Sequence, residues 1–117
     1  TIGWRFINSN LSKLYHPYSM GETAENVADK WKITREEQDQ FGLASQQKYF
    51  AAHKANKFKD ELISVSVKKG KEAIDFNTDE YPRETSLEKL AALKPAFKEN
   101  GTVTAGNCPW RYLAIGQ

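Results

Sequence analysis

Residues 21–58 constrain the fold most, because two consecutive helical patterns run through them with only a helix cap in between. In the first pattern apolar residues recur at i, i+3, i+4 and i+7, which is the spacing of one helix face. These residues are Ala24, Val27, Ala28 and Trp31. We expect Trp31 to anchor this face. The charged residues of the same stretch are expected to point to water, and they are Glu25, Asp29, Lys30 and Lys32.

The second helical pattern begins at a capping signal. The Thr34 hydroxyl can accept a backbone N–H while Glu37 reaches back, which is the arrangement of a capping box. One side of the helix is then predicted to be apolar, and its residues are Phe41, Leu43, Ala44, Phe50, Ala51 and Ala55. Asn56 tolerates the left-handed conformation that ends many helices, so the helix is expected to stop there.

A strand pattern follows the two helices. Residues 62–67 alternate between apolar and polar side chains, which predicts a half-buried strand. Gly70 lies in a lysine-rich turn, and residues 73–76 can pair back to complete a β-hairpin. The lysines of the turn fit an anion-binding patch or, in the interpretation we favour, an exposed turn that keeps an edge strand from mispairing.

The last elements are a short helix and a strand. Thr85 and Glu88 repeat the capping-box spacing, and the helix that follows must stop before Pro95. Residues 102–104 are predicted to begin a terminal strand. Two amphipathic helices, a hairpin, a short helix and a strand indicate an α+β fold rather than regular βαβ winding.

Composition narrows the classes of protein to consider. A chain of 117 residues supports one domain, and 39% hydrophobic with 27% charged residues is typical of a soluble globular protein. The net charge of +2 is too small to indicate nucleic-acid binding by itself. A single cysteine excludes an internal disulfide and favours a reducing compartment. No apolar run approaches the roughly 20 residues of a membrane helix.

Three blocks of sequence resemble the thiolases, the acetyl-CoA acyltransferases, in the order and spacing of that family. The blocks are residues 19–28, SMGETAENVA; residues 35–47, which begin REEQD and end SQQ; and residues 101–107, GTVTAGN. The likeness implies that residues 1–107 are an internal fragment from the N-terminal half of a thiolase, mainly the loop domain over the coenzyme A site. Residues 108–117 depart from the family pattern, and we expect this tail to pack poorly.

The resemblance implies an intact protein that cleaves or forms 3-ketoacyl-CoA through an acyl-cysteine intermediate. That chemistry needs a thiolate, a base and oxyanion holes, and we identify no catalytic residue in this chain. Cys108 stands where the family places no nucleophile, and His16 and His53 are expected to be surface residues. Without metal-ligand spacing among these residues, no metal site is predicted.

The resemblance also implies which residues contact coenzyme A, the substrate; no covalently bound cofactor is expected. Leu11, Ser19 and Met20 align with positions along the pantetheine and adenine, although many family members have histidine where Ser19 stands. Arg83 aligns with a basic residue near the nucleotide end, where a guanidinium can stack on adenine or pair with phosphate. The remaining aligned contacts are apolar: Leu93, Phe97 and Ala105. Plain core packing is the alternative for Leu11, Leu93 and Phe97.

Further expectations follow from the same resemblance: a cytoplasmic protein of fatty-acid metabolism or β-oxidation, and an intact parent that forms homodimers or homotetramers, with no nucleic-acid or membrane partner. A rival interpretation is a small nucleic-acid-binding module, since lysines and aromatic residues together can hold single strands. Its residues would be Lys68, Lys69 and Lys71 with Trp4, Trp31 or Tyr81. A third is a structural remnant without a ligand.

Overall fold

The computed structural model describes residues 5–70 and 72–108. Its elements in chain order are α1 (Ser9–Leu14), α2 (Met20–Trp31), α3 (Arg35–Lys54), β1 (Val65–Lys69), β2 (Glu72–Phe76) and α4 (Leu87–Ala91). Helices together with an antiparallel hairpin confirm the predicted α+β class. The described residues form two compact units: a first unit of residues 5–43 and 85–108, and a second unit within Ala44–Glu84.

Helix α2 begins at a capping box of the same kind as the one predicted at Thr34 and Glu37. The Ser19 hydroxyl accepts from the Glu22 N–H at 3.2 Å, and the Glu22 carboxylate accepts from the Ser19 N–H at 2.8 Å. The helix ends at Lys32, which adopts the left-handed conformation with φ 57°. Both ends are therefore fixed by local backbone chemistry.

Two predictions for the faces of α2 are wrong. Glu25, expected to point to water, is 2% exposed, and Trp31, the expected anchor, is 68% exposed. Glu25 is buried because its carboxylate accepts hydrogen bonds from backbone N–H groups of residues 102 and 103, which offset the loss of water. Trp31 is the last residue of α2 and lies beyond these contacts, with the Lys30 ammonium 5.5 Å from its ring centroid.

Helix α3 confirms the predicted caps and corrects the predicted face. Thr34 and Glu37 form the capping box, with N–H to oxygen distances of 2.8 and 3.2 Å, and Asn56 takes the left-handed conformation with φ 53°. Phe41, however, is 78% exposed, and the buried residue of α3 is Asp39. Asp39 is tolerated there because Arg35 and Asn107 donate hydrogen bonds to its carboxylate.

The second unit contains the predicted hairpin. Strands β1 and β2 pair antiparallel, with Val65 opposite Phe76 and Val67 opposite Ile74, and Gly70 in the turn has φ 68°. The predicted strand is shifted toward the turn, and every residue of both strands is exposed, so the expected half-burial is wrong. Alternation identifies residues that share a sheet face, but it does not supply a layer to cover that face.

The core of the first unit is small. Its buried apolar residues among those described are Ala28, Leu90, Val103 and Cys108. Helix α4 contributes Leu90, and its N-cap is Ser86 rather than the predicted Thr85, because the Ser86 hydroxyl accepts from the Lys89 N–H. The predicted terminal strand is limited to one bridge between Pro95 and Thr104, beside a hydrogen bond from the Ala96 N–H to the Val103 carbonyl.

The tail after Asn107 is described only at its first residue. Cys108 is buried, and its N–H donates to the Thr104 carbonyl at 3.0 Å. Residues 109–117 lie outside the described residues, as do Trp4 and Lys71 of the nucleic-acid interpretation. The poor packing expected for the tail stays a prediction.

Candidate functional site

The start of α2 lies against the segment that follows α4. Gly21 is buried, and a Cβ added to it would overlap the Phe97 ring, so the ring packs directly on the backbone of Gly21. Met20 precedes Gly21 and is exposed. Two of the predicted contact residues, Met20 and Phe97, therefore lie at the same place in the first unit.

A second pair of predicted residues meets at Gly106. A Cβ at Gly106 would overlap the side chains of Leu90 and Leu93, so these leucines pack on the backbone beside Ala105. Ala105 is itself exposed. The bridge from Pro95 to Thr104 joins this place to the segment that carries Phe97. We call Met20, Leu93, Phe97 and Ala105 the apolar wall.

The segment that carries Ala105, residues 101–107, is held by a carboxylate of α2. The Glu25 carboxylate accepts from the Val103 N–H at 2.9 Å and from the Thr102 N–H at 3.0 Å, and the Thr102 hydroxyl lies 3.3 Å away. A Cβ added to Gly101 would overlap the same carboxylate. We call residues 101–107 the 101–107 turn.

A carboxylate of α3 holds the other end of this turn. The Asn107 side-chain amide donates to Asp39 at 2.9 Å and to the Thr102 carbonyl at 3.1 Å, while its oxygen accepts from the Thr104 N–H at 2.8 Å. Arg35 donates to Asp39 at 2.8 Å. The amide of Asn107 thus connects α3 to the interior of the turn.

The Arg35 guanidinium extends this network to α4. It donates to the Leu90 carbonyl at 2.7 Å and to the Leu93 carbonyl at 3.0 Å. The Leu90 carbonyl also accepts from the Leu93 N–H at 3.0 Å, and a cation at the C-terminal end of a helix interacts favourably with the helix dipole. The position of Leu93 is therefore connected to the same buried carboxylate as the 101–107 turn.

The other predicted contact residues have different surroundings. Leu11 lies on the short helix α1 and is exposed. Ser19 is buried, and its hydroxyl serves as the N-cap of α2. Arg83 belongs to the second unit, where its side chain is exposed and its N–H donates to the Gln46 side chain at 3.1 Å.

An ion pair lies beside the apolar wall. The Lys98 ammonium donates to the Asp29 carboxylate, and both side chains are exposed. This hydrogen bond lowers the pKa of Asp29 and raises that of Lys98. Exposed ion pairs contribute little to stability. This pair is therefore a surface feature beside Phe97 in the sequence and not part of the core.

Among the residues that the structure describes, those with nucleophilic or metal-binding potential do not form a reactive cluster. Burial raises the pKa of the Cys108 thiol, which disfavours the thiolate that acts as a nucleophile. His16 and His53 are exposed, as predicted, and His53 stacks on Tyr49 with ring centroids 5.8 Å apart. In residues 5–70 and 72–108, no group of three or more metal-ligating side chains is found.

Sequence reasoning missed Glu25, Asp39 and Arg35 as the residues that organise the site. Helical periodicity did not identify Glu25, because a pattern based on polarity assigns a charged side chain to the surface. The structure shows that Glu25 shares a buried helix face with Gly21 and Ala28. No local signal identified Asp39 either, because its partner Asn107 is 68 residues away in the sequence.

None of the helices in the described part of the chain is long and apolar enough to span a membrane.

Comparison with known proteins matches residues 5–110 to the family model described as "Thiolase, N-terminal domain". An acetyl-CoA acetyltransferase of Rhizobium meliloti (strain 1021) is 51% identical over 102 residues, which cover 86% of this chain and 26% of that protein. A beta-ketoadipyl-CoA thiolase of Acinetobacter baylyi is 48% identical over 109 residues, covering 92% of this chain and 27% of that protein.

The solved structures give the same result. The crystal structure of the Bacillus anthracis acetyl-CoA acetyltransferase superposes with a TM-score of 0.75 at 37% identity, and the match covers 91% of this chain and 29% of that chain. This chain therefore spans about a quarter of the length of the relatives it matches. The family model covers most of the chain and the relatives are close to half identical, so the chain belongs to the thiolase family.

Proposed function

We propose that this chain supplies part of the coenzyme A-binding wall of an acetyl-CoA C-acyltransferase that cleaves or forms 3-ketoacyl-CoA through an acyl-cysteine. Relatives named acetyl-CoA acetyltransferase and beta-ketoadipyl-CoA thiolase support the reaction class, because both names refer to CoA thioesters. The nucleophile and its base belong to polypeptide beyond the matched residues. The isolated chain is accordingly inactive.

The observation that carries the proposal is the meeting of the apolar wall residues on one unit of the chain. Phe97 packs on Gly21 next to Met20, and Leu93 packs on Gly106 next to Ala105. Met20, Leu93 and Ala105 keep exposed apolar surface, which is what a pantetheine chain or an adenine ring would cover. Pure core packing, the alternative for Leu93, would bury that surface.

The remaining predicted contacts fit the proposal individually. Arg83 offers an exposed guanidinium, which suits the phosphates or the adenine of CoA. Leu11 offers exposed apolar surface on α1. Ser19 is engaged as a helix cap, so its part in binding is limited to shaping the backbone that carries Met20.

The buried thiol of Cys108 is poorly suited to act as the nucleophile, which supports the proposal that the nucleophile lies elsewhere in the intact protein. Acyl transfer to sulfur requires a thiolate next to a base, and burial holds the Cys108 pKa above its ordinary value. We also propose that the intact protein is a cytoplasmic homodimer or homotetramer acting on acyl-CoA in fatty-acid metabolism or β-oxidation, with neither nucleic acid nor membrane as a partner.

The experiment is a replacement in a full-length relative. Residues 5–107 replace the matching segment of the Rhizobium meliloti acetyl-CoA acetyltransferase, and acetoacetyl-CoA thiolysis is measured. We expect kcat/KM within about tenfold of the parent enzyme, a loss of no more than roughly 1.4 kcal/mol of transition-state stabilisation. The isolated chain should show no turnover.

The control replacement carries Ala105→Asp, which places a negative charge on the apolar wall. We expect the KM for CoA to rise at least about tenfold, because an unpaired carboxylate must be desolvated beside the bound CoA. Turnover by the isolated chain, or an Ala105→Asp replacement with unchanged KM, would contradict the proposal.

A further inference from the structure

We propose that Glu25 and Asp39 are positioning residues, which together hold the 101–107 turn in the conformation that presents Ala105 and Leu93 to coenzyme A. The inference rests on the proposed function and extends it to residues that touch no ligand themselves. Both carboxylates are buried, at 2% and 3% exposure, and the ion pair that Asp39 makes is with Arg35 of its own helix.

Glu25 organises the first half of the turn. Its two oxygens accept the N–H groups of Thr102 and Val103, which leaves neither of these backbone donors to water. Bonds from N–H groups to an ionised carboxylate are stronger than bonds between neutral groups. Gly101 has no side chain, which lets the carboxylate approach the backbone closely. The conformation of Thr102 and Val103 therefore depends on the charge and length of this side chain.

Asp39 organises the second half through Asn107. The Asn107 amide group bridges Asp39 and the Thr102 carbonyl, and its oxygen accepts the Thr104 N–H. The Thr104 hydroxyl in turn accepts the Gly106 N–H at 3.2 Å. These bonds close the backbone on both sides of Ala105, so the exposed methyl group of Ala105 has a fixed direction.

Asp39 also fixes the facing residue of the wall. Arg35 is held by Asp39 and donates to the carbonyl of Leu93, whose side chain packs on Gly106. A binding surface that is rigid before the ligand arrives loses less entropy on binding. The two carboxylates thus preorganise Ala105 and Leu93.

The test compares isosteric variants of the full 117-residue chain by NMR. Glu25→Gln keeps the shape of the side chain but points an N–H₂ group toward two backbone donors. We expect hydrogen exchange at the amides of Thr102 and Val103 to accelerate at least about tenfold. We further expect the Kd for CoA, followed by shifts of the Ala105 and Gly106 amides, to rise about tenfold. The control Glu36→Gln makes the same change at an exposed position and should alter neither quantity.

Asp39→Asn provides a second variant in case Glu25→Gln does not fold. It should accelerate exchange at Thr104 and Gly106 and weaken CoA binding by a similar factor, whereas its control Asp60→Asn should behave as wild type. If either folded variant binds CoA with wild-type affinity, the positioning role is overturned while the proposed function stands. If the wild-type chain shows no CoA-dependent shifts at millimolar CoA, the proposed function is overturned instead.

Discussion

The 101–107 turn and the hairpin of the second unit differ in which residues they bury: charged side chains are buried at the turn, whereas apolar side chains are exposed on the hairpin. The turn is held by two buried carboxylates, of which Glu25 accepts from the Val103 N–H and Asp39 accepts from the Asn107 side-chain amide. In the hairpin, Val65, Val67 and Ile74 are exposed on a strand pair that alternates as a half-buried sheet should. Burial in this chain follows the availability of hydrogen-bond partners and covering layers rather than side-chain polarity alone.

Among these predictions, Glu25→Ala is expected to lower the free energy of unfolding most. A small loss would contradict the claim that buried carboxylates hold the turn. The change leaves two buried N–H groups unpaired and opens a cavity, so the free energy of unfolding should fall by about 3 kcal/mol. Urea unfolding followed by circular dichroism measures it. Glu36→Ala, at an exposed position of α3, is the control and should cost less than about 0.5 kcal/mol. A similar loss in both variants would mean that the charge of Glu25 is not structural.

The same substitution in both regions gives the sharpest comparison. Val103→Thr buries a hydroxyl in the core of the first unit and should cost about 2 kcal/mol of unfolding free energy. Val67→Thr makes the identical change on the exposed strand β1 and should stay within about 0.5 kcal/mol. Equal costs at the two positions would show that the hairpin face is covered in solution. Urea midpoints of the two variants decide between these results.

Acidification tests the contribution of Glu22, the exposed carboxylate of the α2 capping box. Hydrogen bonds from Ser19 lower the pKa of Glu22. Its contribution to stability is therefore complete above its ordinary pKa of 4.5 and is lost as the pH falls through the lowered value. The difference in urea midpoint between wild type and Glu22→Gln should be constant from pH 7 to about pH 5 and then shrink. If the difference in urea midpoint instead grew on acidification, the assignment of a lowered pKa to Glu22 would be wrong.

The smallest expected effect concerns the lysines of the hairpin. Lys68 and Lys69 are exposed, and we expect them to be solvated rather than to bind nucleic acid. Fluorescence anisotropy with a labelled single-stranded oligonucleotide should show no difference between wild type and the double variant Lys68→Gln, Lys69→Gln. Binding that weakens steeply with salt and is lost in the double variant would instead favour the nucleic-acid interpretation.

Features with local causes could be predicted from the sequence. The Thr34 capping box, the left-handed Asn56 and the hairpin turn at Gly70 each depend on a few neighbouring residues. The cap of α4 is Ser86 rather than the predicted Thr85, one residue further along the chain, because the Ser86 hydroxyl accepts from the Lys89 N–H. Periodicity thus identified the elements but not every boundary.

Features with distant causes could not be predicted in the same way. Glu25 is buried because of residues 77 and 78 positions away, and Asp39 because of a residue 68 positions away. A helical pattern ranks Trp31 and Phe41 as core and Glu25 as surface, since it contains no information on such partners. For the candidate site, the resemblance to a family predicted the contact residues, whereas Glu25 and Asp39 were identified only from the structure.

The close approach of Glu25 to Gly101 couples the permitted sequence changes at these two positions. A side chain at residue 101 would overlap the carboxylate and force it to move away from the backbone, so a substitution there should be better tolerated when the acid on α2 is shortened, as in Glu25→Asp. A transplant of this segment between enzymes should therefore move α2 and Gly101 together.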